Sequence, residues 1–182
     1  MLYDTTLRDG MQREGLSVSV DEKVRIAVRI AQLGVHVIEG GFPGSNTKDE
    51  EFFRKLEQEH LPGTLIAAFG MTRGRGVTAD NDPQLRTLVD LWVPVAAIVG
   101  KTWDLHVQTV LGCSLDENLI LCNESVRYLK GKGLEVVFDA EHFFDGYKNN
   151  PAYAMKVLAA AAEAGVDVLA LCDTNGGSLP EQ

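Results

Sequence analysis

The chain has 182 residues, 45 % of them hydrophobic, which is ample for one packed domain and short for two. Its formal net charge of −9, from 17 basic and 26 acidic residues, argues against nucleic-acid and anionic-membrane partners and favours small molecules. No apolar run approaches the roughly 18 residues of a membrane span, and no basic-then-apolar segment opens the chain, so we expect a cytoplasmic protein.

The first half of the chain predicts three strands separated by two helices. Residues 2–8 form the first strand. Ser19 and Glu22 have the spacing of a capping box, and the helix behind them ends near Gly34 after apolar residues at helical spacing, namely Val24, Ala27, Val28 and Ala31. "LGVHVIEGG" (33–41) predicts the second strand, Ser45 or Asn46 caps the second helix, and "TLIAAFG" (64–70) predicts the third strand.

The second half predicts three more strands of the same kind. They are "VPVAAIVG" (93–100), "KGLEVVFDAE" (132–141) and "AGVDVLALCDT" (164–174). Pro151 stands where the first residue of a helix would be, before the alanine-rich residues 152–164. Strands that are apolar almost throughout are buried on both faces, which favours a parallel α/β sheet.

A repeated strand–helix pattern fits either an open doubly wound sheet or a (β/α)₈ barrel. The open sheet normally carries a glycine-rich phosphate loop after its first strand, and neither GxGxxG nor GxxxxGK[ST] follows residues 2–8. A TIM barrel is therefore favoured. It is present here as roughly the first six βα units, because a complete barrel takes about 250 residues.

Acidic residues follow four of the predicted strands. They are Asp9, Glu39, Asp139 or Glu141, and Asp173. In a barrel the carboxyl ends of all strands meet at one face, so these acids would surround a single mouth, where a divalent metal would relieve their repulsion. The alternative for each acid is a helix-capping role.

The stretch "DTTLRDGMQREG" (4–15) concentrates charged residues at the end of the first strand. The simplest interpretation of such a stretch is a solvated turn, and the alternative is a functional site. Together with "VIEGGFPGSN", "GKTWDLHV", "DAEHFFDGYKNNP" and "LCDTNGG", the stretch resembles the acyl-CoA-condensing barrel enzymes. That family includes isopropylmalate, homocitrate and citramalate synthases, with the lyase that cleaves hydroxymethylglutaryl-CoA as a relative. "GKTWDLHV" and "FDAEHFFDGYKNNP" look most like the citramalate synthase branch, and the resemblance runs over the whole chain.

The resemblance implies roles for seven residues. Asp9 would be a ligand of a divalent metal, Mg²⁺, Mn²⁺ or Zn²⁺. Arg8 would hold and polarise the carbonyl oxygen of a 2-keto acid, and Gln12 would orient this part of the site. Glu39 and Glu141 match catalytic carboxylates of the family. His106 matches a side chain that lines the keto-acid pocket, and Thr174 matches a hydroxyl that hydrogen-bonds the substrate carboxylate. Glu39 as a helix cap and His106 as a structural residue remain open alternatives.

The reaction that the resemblance implies is a Claisen-type condensation of acetyl-CoA with a 2-keto acid, with pyruvate as the expected substrate. Glu141 is the expected base or the partner of the base. Isopropylmalate or homocitrate synthesis, a hydroxymethylglutaryl-CoA-type lyase and an inactive truncated barrel are the alternatives. We expect the full-length enzyme to be a homodimer.

The chain departs from the family in its metal ligands. The family completes its metal site with a His-x-His pair from the next strand, whereas the four histidines here are His36, His60, His106 and His142. We therefore expect residues 1–182 to be the N-terminal part of one catalytic barrel, inactive alone, with the pair and any regulatory domain beyond Gln182.

"TRGRG" (72–76) places Arg73 and Arg75 in a glycine-rich loop after the third strand. Guanidinium groups pair well with phosphate, so these arginines could bind the phosphates of CoA. A solvated flexible loop is the alternative.

Overall fold

The computed structural model describes residues 1–179 as a single curved sheet of six parallel strands with helices outside it. The strands pair in chain order. Their bounds are β1 Tyr3–Asp4, β2 Val37–Glu39, β3 Leu65–Met71, β4 Val95–Lys101, β5 Glu135–Glu141 and β6 Val168–Leu171. This is the predicted α/β architecture, a partial barrel, and all six predicted strands are confirmed.

Seven α-helical segments connect the strands. They are α1 Val20–Gln32, α2 Thr47–Leu56, α3 Pro83–Asp90, α4 Asp104–His106, α5 Leu115–Gly131, α6 Phe143–Asn149 and α7 Pro151–Glu163. A 3₁₀ turn covers Gly10–Gln12, and a π-helical turn covers Val107–Leu111 directly after α4. Within residues 1–179 we find no helix with the length and apolar character to cross a membrane.

The strands are apolar on both faces because each face meets a different layer. Ile38, Ala68, Ile98 and Phe138 pack outward against the helices in the larger core cluster. Their neighbours Val37, Phe69, Ala97 and Val137 point into the interior and form a second, smaller cluster. Alternation with a period of two therefore explains the continuous apolar runs that the sequence shows.

The helix starts follow the local chemistry of the sequence. The backbone N–H of Glu22 donates to Ser19 Oγ (3.2 Å) and the N–H of Ser19 donates to Glu22 Oε2 (2.7 Å), which confirms the capping box. Asn46, and not Ser45, caps α2, because Asn46 Oδ1 accepts from the N–H of Asp49 (2.7 Å). Pro151 is the first residue of α7, as predicted.

The first strand is shorter than the predicted span of residues 2–8. Asp4 accepts hydrogen bonds from the backbone N–H and the hydroxyl of Thr6, both at 3.0 Å, and this local turn ends the strand. The N–H groups of Arg8 and Gly10 then donate to the carbonyl of Thr5 at 3.1 Å. The turn buries Leu7 completely and places Arg8 at the mouth of the barrel.

Candidate functional site

An open cleft of about 720 Å³ lies at the carboxyl ends of the strands. Residues from or directly after every strand except β2 line it, and Phe42 lines it from the loop that follows β2. The predicted site residues that line it are Arg8, Asp9, Gln12, Asp139, Glu141, Asp173 and Thr174. The fold thus brings most of the expected side chains to one cavity.

Arg8 is fixed at this mouth by contacts on several sides. Its Nε contacts Glu39 Oε1, its Nη1 is 3.3 Å from Asp9 Oδ1, and its Nη2 is 3.9 Å from Asp139 Oδ2. The guanidinium carbon lies 3.9 Å from the centre of the Phe69 ring. Such a guanidinium, held on an aromatic face by carboxylates, keeps its orientation.

Glu39 is the buried anchor of this arrangement. Its side chain is fully buried, and Tyr3 donates its hydroxyl hydrogen to Glu39 Oε2 at 2.7 Å. Because Asn46 caps α2, Glu39 is not a helix cap. Burial and the nearby Glu39 carboxylate raise the pKa of Tyr3, so that phenol stays a hydrogen-bond donor.

Asp139 is the acid whose protonation the site changes most clearly. Burial and the negative charge of Glu39 raise the pKa of Asp139 to about 7, although Arg8 acts in the opposite direction. Burial likewise raises the pKa of the Cys172 thiol, which lies in the same cleft, to about 12. Asp139 can therefore exchange a proton near neutral pH, whereas Cys172 stays a thiol.

The other side of the site is built around Glu141 at the end of β5. Lys101 Nζ contacts Glu141 Oε2, and the hydroxyl of Thr102 donates to the backbone carbonyl of Glu141 at 2.5 Å. The following residue, His142, has a left-handed backbone (φ 53°), which is unusual for a residue other than glycine. Its N–H donates to Thr174 Oγ1 at 2.9 Å, so Thr174 holds the turn that follows Glu141.

His106 reaches Glu141 from the loop after β4. Its ring packs against Trp103 (4.7 Å between centroids) and against His142 (4.6 Å). Burial, and then the charge of His142, lower the pKa of His106. The close approach depends on Gly146, because a Cβ at that position of α6 would lie 2.7 Å from the carbonyl oxygen of Thr102.

The two remaining acids, Asp9 and Asp173, differ in their surroundings. Asp9 is 63 % exposed, so its carboxylate is accessible to a ligand. Asp173 accepts from the backbone N–H of Gly177 (3.2 Å) and of Ser178 (2.9 Å), and so orders its own loop.

Arg73 and Arg75 are bound to α5 and are not among the residues that line the cleft. Arg73 pairs with Glu124 at 2.7 Å and also donates to the carbonyl of Val77. Arg75 pairs with Glu117 and donates to the carbonyl of Gly112 at 2.8 Å.

Four residues of the site were not expected from the sequence: Tyr3, Phe69, Lys101 and His142. Tyr3 and Phe69 look like ordinary strand residues, and only the barrel's inward face makes them neighbours of Arg8. Lys101 and His142 did carry a signal, since each is a polar residue at or after the end of an apolar strand, where barrel sites are built.

The charges of the mouth fit a cation. Four acids line the cleft: Asp9, Asp139, Glu141 and Asp173. A fifth, the buried Glu39, contacts the cleft residue Arg8. Arg8 and Lys101 are the cationic side chains among the described cleft-lining residues, and Arg8 contacts Asp9 less closely than it contacts Glu39. Hard carboxylate oxygens such as those of the accessible Asp9 suit a divalent ion. Among residues 1–179, one further group could hold a metal, His106 with Glu141 and His142.

Comparisons with known proteins agree with this geometry. A family model described as HMGL-like matches residues 1–182. An (R)-citramalate synthase of Geobacter sulfurreducens is 54 % identical over 179 residues, which are 98 % of this chain and 34 % of that protein. A 2-isopropylmalate synthase of Sulfolobus acidocaldarius is 37 % identical over 179 residues, 98 % of this chain and 44 % of that protein. The chain thus spans about a third of the length of the citramalate synthase.

A solved structure confirms the fold. The crystal structure of the Bacillus subtilis HMG-CoA lyase matches with a TM-score of 0.80 at 17 % sequence identity. The match covers 100 % of this chain and 60 % of that chain. At this level of identity the likeness establishes the partial barrel and leaves the chemistry to the site residues.

Proposed function

The chain belongs to the HMGL-like family, and from that premise we propose that it supplies part of the active site of a citramalate synthase-like acyltransferase. The enzyme condenses acetyl-CoA with a 2-keto acid, with pyruvate as the favoured substrate. The observation that supports this most is Arg8, held by the buried Glu39 and lying on Phe69 at the open cleft.

Arg8 stabilises charge in this proposal. The keto oxygen of the 2-keto acid becomes an alkoxide when the new carbon–carbon bond forms, and a prepositioned guanidinium stabilises that charge without reorganising. Glu39 contacts Nε of the guanidinium group and Asp9 contacts Nη1, so both hold it in place. A divalent cation, when bound at Asp9, would supply Lewis-acid polarisation of the same carbonyl group.

Glu141 is the proposed base or the partner of the base. The methyl group of acetyl-CoA loses a proton, and the resulting enolate carbon attacks the keto carbon. Water then hydrolyses the thioester, which releases a 2-hydroxy diacid and free CoA. Lys101, in contact with Glu141, keeps that carboxylate oriented toward the cleft. Gln12, His106 and Thr174 remain the proposed substrate-binding residues.

A thiol-release assay on the full-length protein tests the proposal. Acetyl-CoA is offered with pyruvate, 2-oxoisovalerate and 2-oxoglutarate in turn, and free CoA is measured. Release with pyruvate above the other two is expected. Release with 2-oxoisovalerate or 2-oxoglutarate instead would indicate isopropylmalate or homocitrate synthesis. The lyase is tested separately, with hydroxymethylglutaryl-CoA as substrate and acetyl-CoA as the measured product, because that cleavage frees no thiol.

Binding of CoA phosphates by Arg73 and Arg75 belongs to the same proposal. Their ion pairs with α5 would have to exchange for phosphate contacts. A raised KM for acetyl-CoA in the Arg73→Ala, Arg75→Ala double variant is expected, and an unchanged KM would assign both arginines to the scaffold. We further propose a cytoplasmic homodimer, which cell fractionation and light scattering of the full-length protein would test.

A further inference from the structure

We propose that His106, Glu141 and His142 form a second cation site, separate from Asp9 and selective for zinc-like ions. The proposal that zinc there inhibits condensation rests on the proposed function, whereas the binding itself does not. One ligand atom of each of the three residues lies within 4.8 Å of those of the other two. That spacing is compatible with three ligands around one ion.

The imidazole of His142 is oriented as in metal sites. His142 Nδ1 lies 3.3 Å from Asp145 Oδ2, which also accepts from Asn175 Nδ2 at 3.0 Å. A carboxylate on one ring nitrogen of a histidine orients the ring and leaves the other nitrogen for a metal. Nε2 of His142 is therefore the ligand atom that this arrangement presents.

The three side chains are held together before any ion binds. The left-handed turn at His142 is fixed by the hydrogen bond from its N–H to Thr174, and the Trp103 ring packs on both imidazoles. Neither ring nitrogen of His106 has a hydrogen-bond partner among residues 1–179, so this imidazole is available as a ligand.

The donor set selects the ion. Two imidazoles and one carboxylate are ligands of zinc and of neighbouring transition metals, so Zn²⁺ and Co²⁺ are the probes for this site. Lys101 opposes binding because its ammonium group contacts Glu141 Oε2. Removal of that positive charge in Lys101→Met should therefore tighten zinc binding.

Zinc at this site would inhibit the enzyme, because the ion occupies the proposed base Glu141 and the pocket residue His106 together. Inhibition by zinc should then compete with the 2-keto acid. Magnesium at Asp9 would not relieve it, since the two sites share no ligand.

Metal titration of the full-length protein tests the site. Zinc affinity is measured by competition with a chromophoric chelator, and cobalt is titrated as a spectroscopic probe whose visible absorption reports the ligand geometry. The variants are compared in an Asp9→Asn background, which removes a ligand of the proposed first site. One zinc site should remain there, and adding His106→Ala or His142→Asn should each weaken its affinity at least about tenfold. Asparagine tolerates the left-handed backbone, so His142→Asn removes the imidazole without straining the turn.

The matched control is His60→Ala, which removes an exposed histidine outside the cleft and should leave zinc affinity unchanged. Unchanged affinity when His142→Asn and His106→Ala are added, or loss of zinc binding in Asp9→Asn, would overturn the second site. A protein that binds zinc in this residue-dependent way but condenses no keto acid would retain the site and refute the proposed function. An active enzyme whose zinc affinity is unchanged by both histidine substitutions would support the proposed function and refute the second site.

Discussion

In the proposed reaction, Arg8 acts through the shape of its side chain as well as through its charge. Its Nε, Nη1 and Nη2 each face a different carboxylate, and the flat group lies on Phe69. Lysine offers one point charge and no plane, so Arg8→Lys should lower kcat in the full-length enzyme by on the order of a hundredfold. Steady-state thiol release measures this, and turnover within about threefold of wild type would remove Arg8 from the reaction.

Asp9 should contribute directly to metal binding. Asp9→Asn keeps the shape and removes the charge of the proposed ligand, so the affinity for Mg²⁺ or Mn²⁺ in the full-length protein should fall strongly. Calorimetric titration measures the affinity. Glu14→Gln, an exposed acid in the same loop, is the control for charge alone. Equal losses in both variants would show a general field effect and no ligand role.

Asp139 should make the stability of the folded chain depend on pH. Its pKa is about 7 in the folded state against the ordinary value of 3.8. At a pH between these two values, the chain therefore takes up a proton when it folds. The contribution of Asp139 to stability is fully present below about pH 4 and is lost as pH rises through 7. Asp139→Asn, which stays neutral, should therefore be the more stable protein at pH 8, by up to about 4 kcal/mol since each pKa unit corresponds to about 1.4 kcal/mol.

Thermal unfolding of the full-length wild type and of full-length Asp139→Asn at pH 8 and near pH 4.5 measures the difference. The stabilisation should shrink as the pH falls. Asp116→Asn, an acid in the first turn of α5 far from the cleft lining, is the control. A stabilisation of Asp139→Asn that is the same at both pH values would contradict the assignment.

At the scale of elements, the contact between α6 and the loop after β4 brings the two histidines together. A Cβ at Gly146 would meet the Thr102 carbonyl oxygen at 2.7 Å and the Trp103 Cα at 3.0 Å. Gly146→Ala must push the loop and α6 apart, at a cost of about 1–3 kcal/mol. Gly131→Ala, at an open position of α5, is the matched control and should not destabilise the protein.

Urea unfolding of both variants in the full-length protein gives the free energies. Zinc affinity gives a second measurement, because separation of His106 from His142 should weaken zinc binding. A Gly146→Ala protein as stable as Gly131→Ala would show that the loop yields without cost. The close packing of α6 would then not be what positions His106.

The regular elements could be predicted because local chemistry determines them. The capping box at Ser19, the proline at position 151 and the strand runs act over a few residues, and each is found in the structure. The early end of β1 could not be predicted, because it depends on a turn that Asp4 forms with Thr6. Likewise the π-helical turn at Val107–Leu111 depends in part on Arg75, which donates to carbonyls at its end from a different loop.

The site could be predicted as far as strand ends determine it. Acids placed after parallel strands meet at one face of a barrel, and Asp9, Asp139, Glu141 and Asp173 do line one cleft. Which side chains contact each other within that face could not be predicted from the sequence. Which carboxylate holds Arg8, and which histidine faces Glu141, depends on register and on the approach of loops about 40 residues apart.

At the scale of the whole molecule, the sheet of the described chain has two edges. β1 and β6 each pair with one neighbour only, and apolar side chains are exposed at these edges, with Leu2 61 % and Leu171 46 % accessible. On the outer surface, Leu33, the residue directly after α1, is 79 % exposed and lines the same groove as Val18 and Ile26. Unpaired backbone beside apolar surface is a template for association.

Residues 1–182 expressed alone should therefore be self-associated or insoluble. Size-exclusion chromatography with light scattering measures the mass, and Leu2→Lys with Leu171→Lys should shift the population toward monomer because charge at an edge opposes strand pairing. Glu163→Lys, a charge change at the exposed end of α7, is the control and should leave the mass distribution as it is. A monodisperse wild-type monomer with a cooperative melt would contradict the prediction, since it would mean that the open edges of a six-stranded partial barrel are tolerated in water.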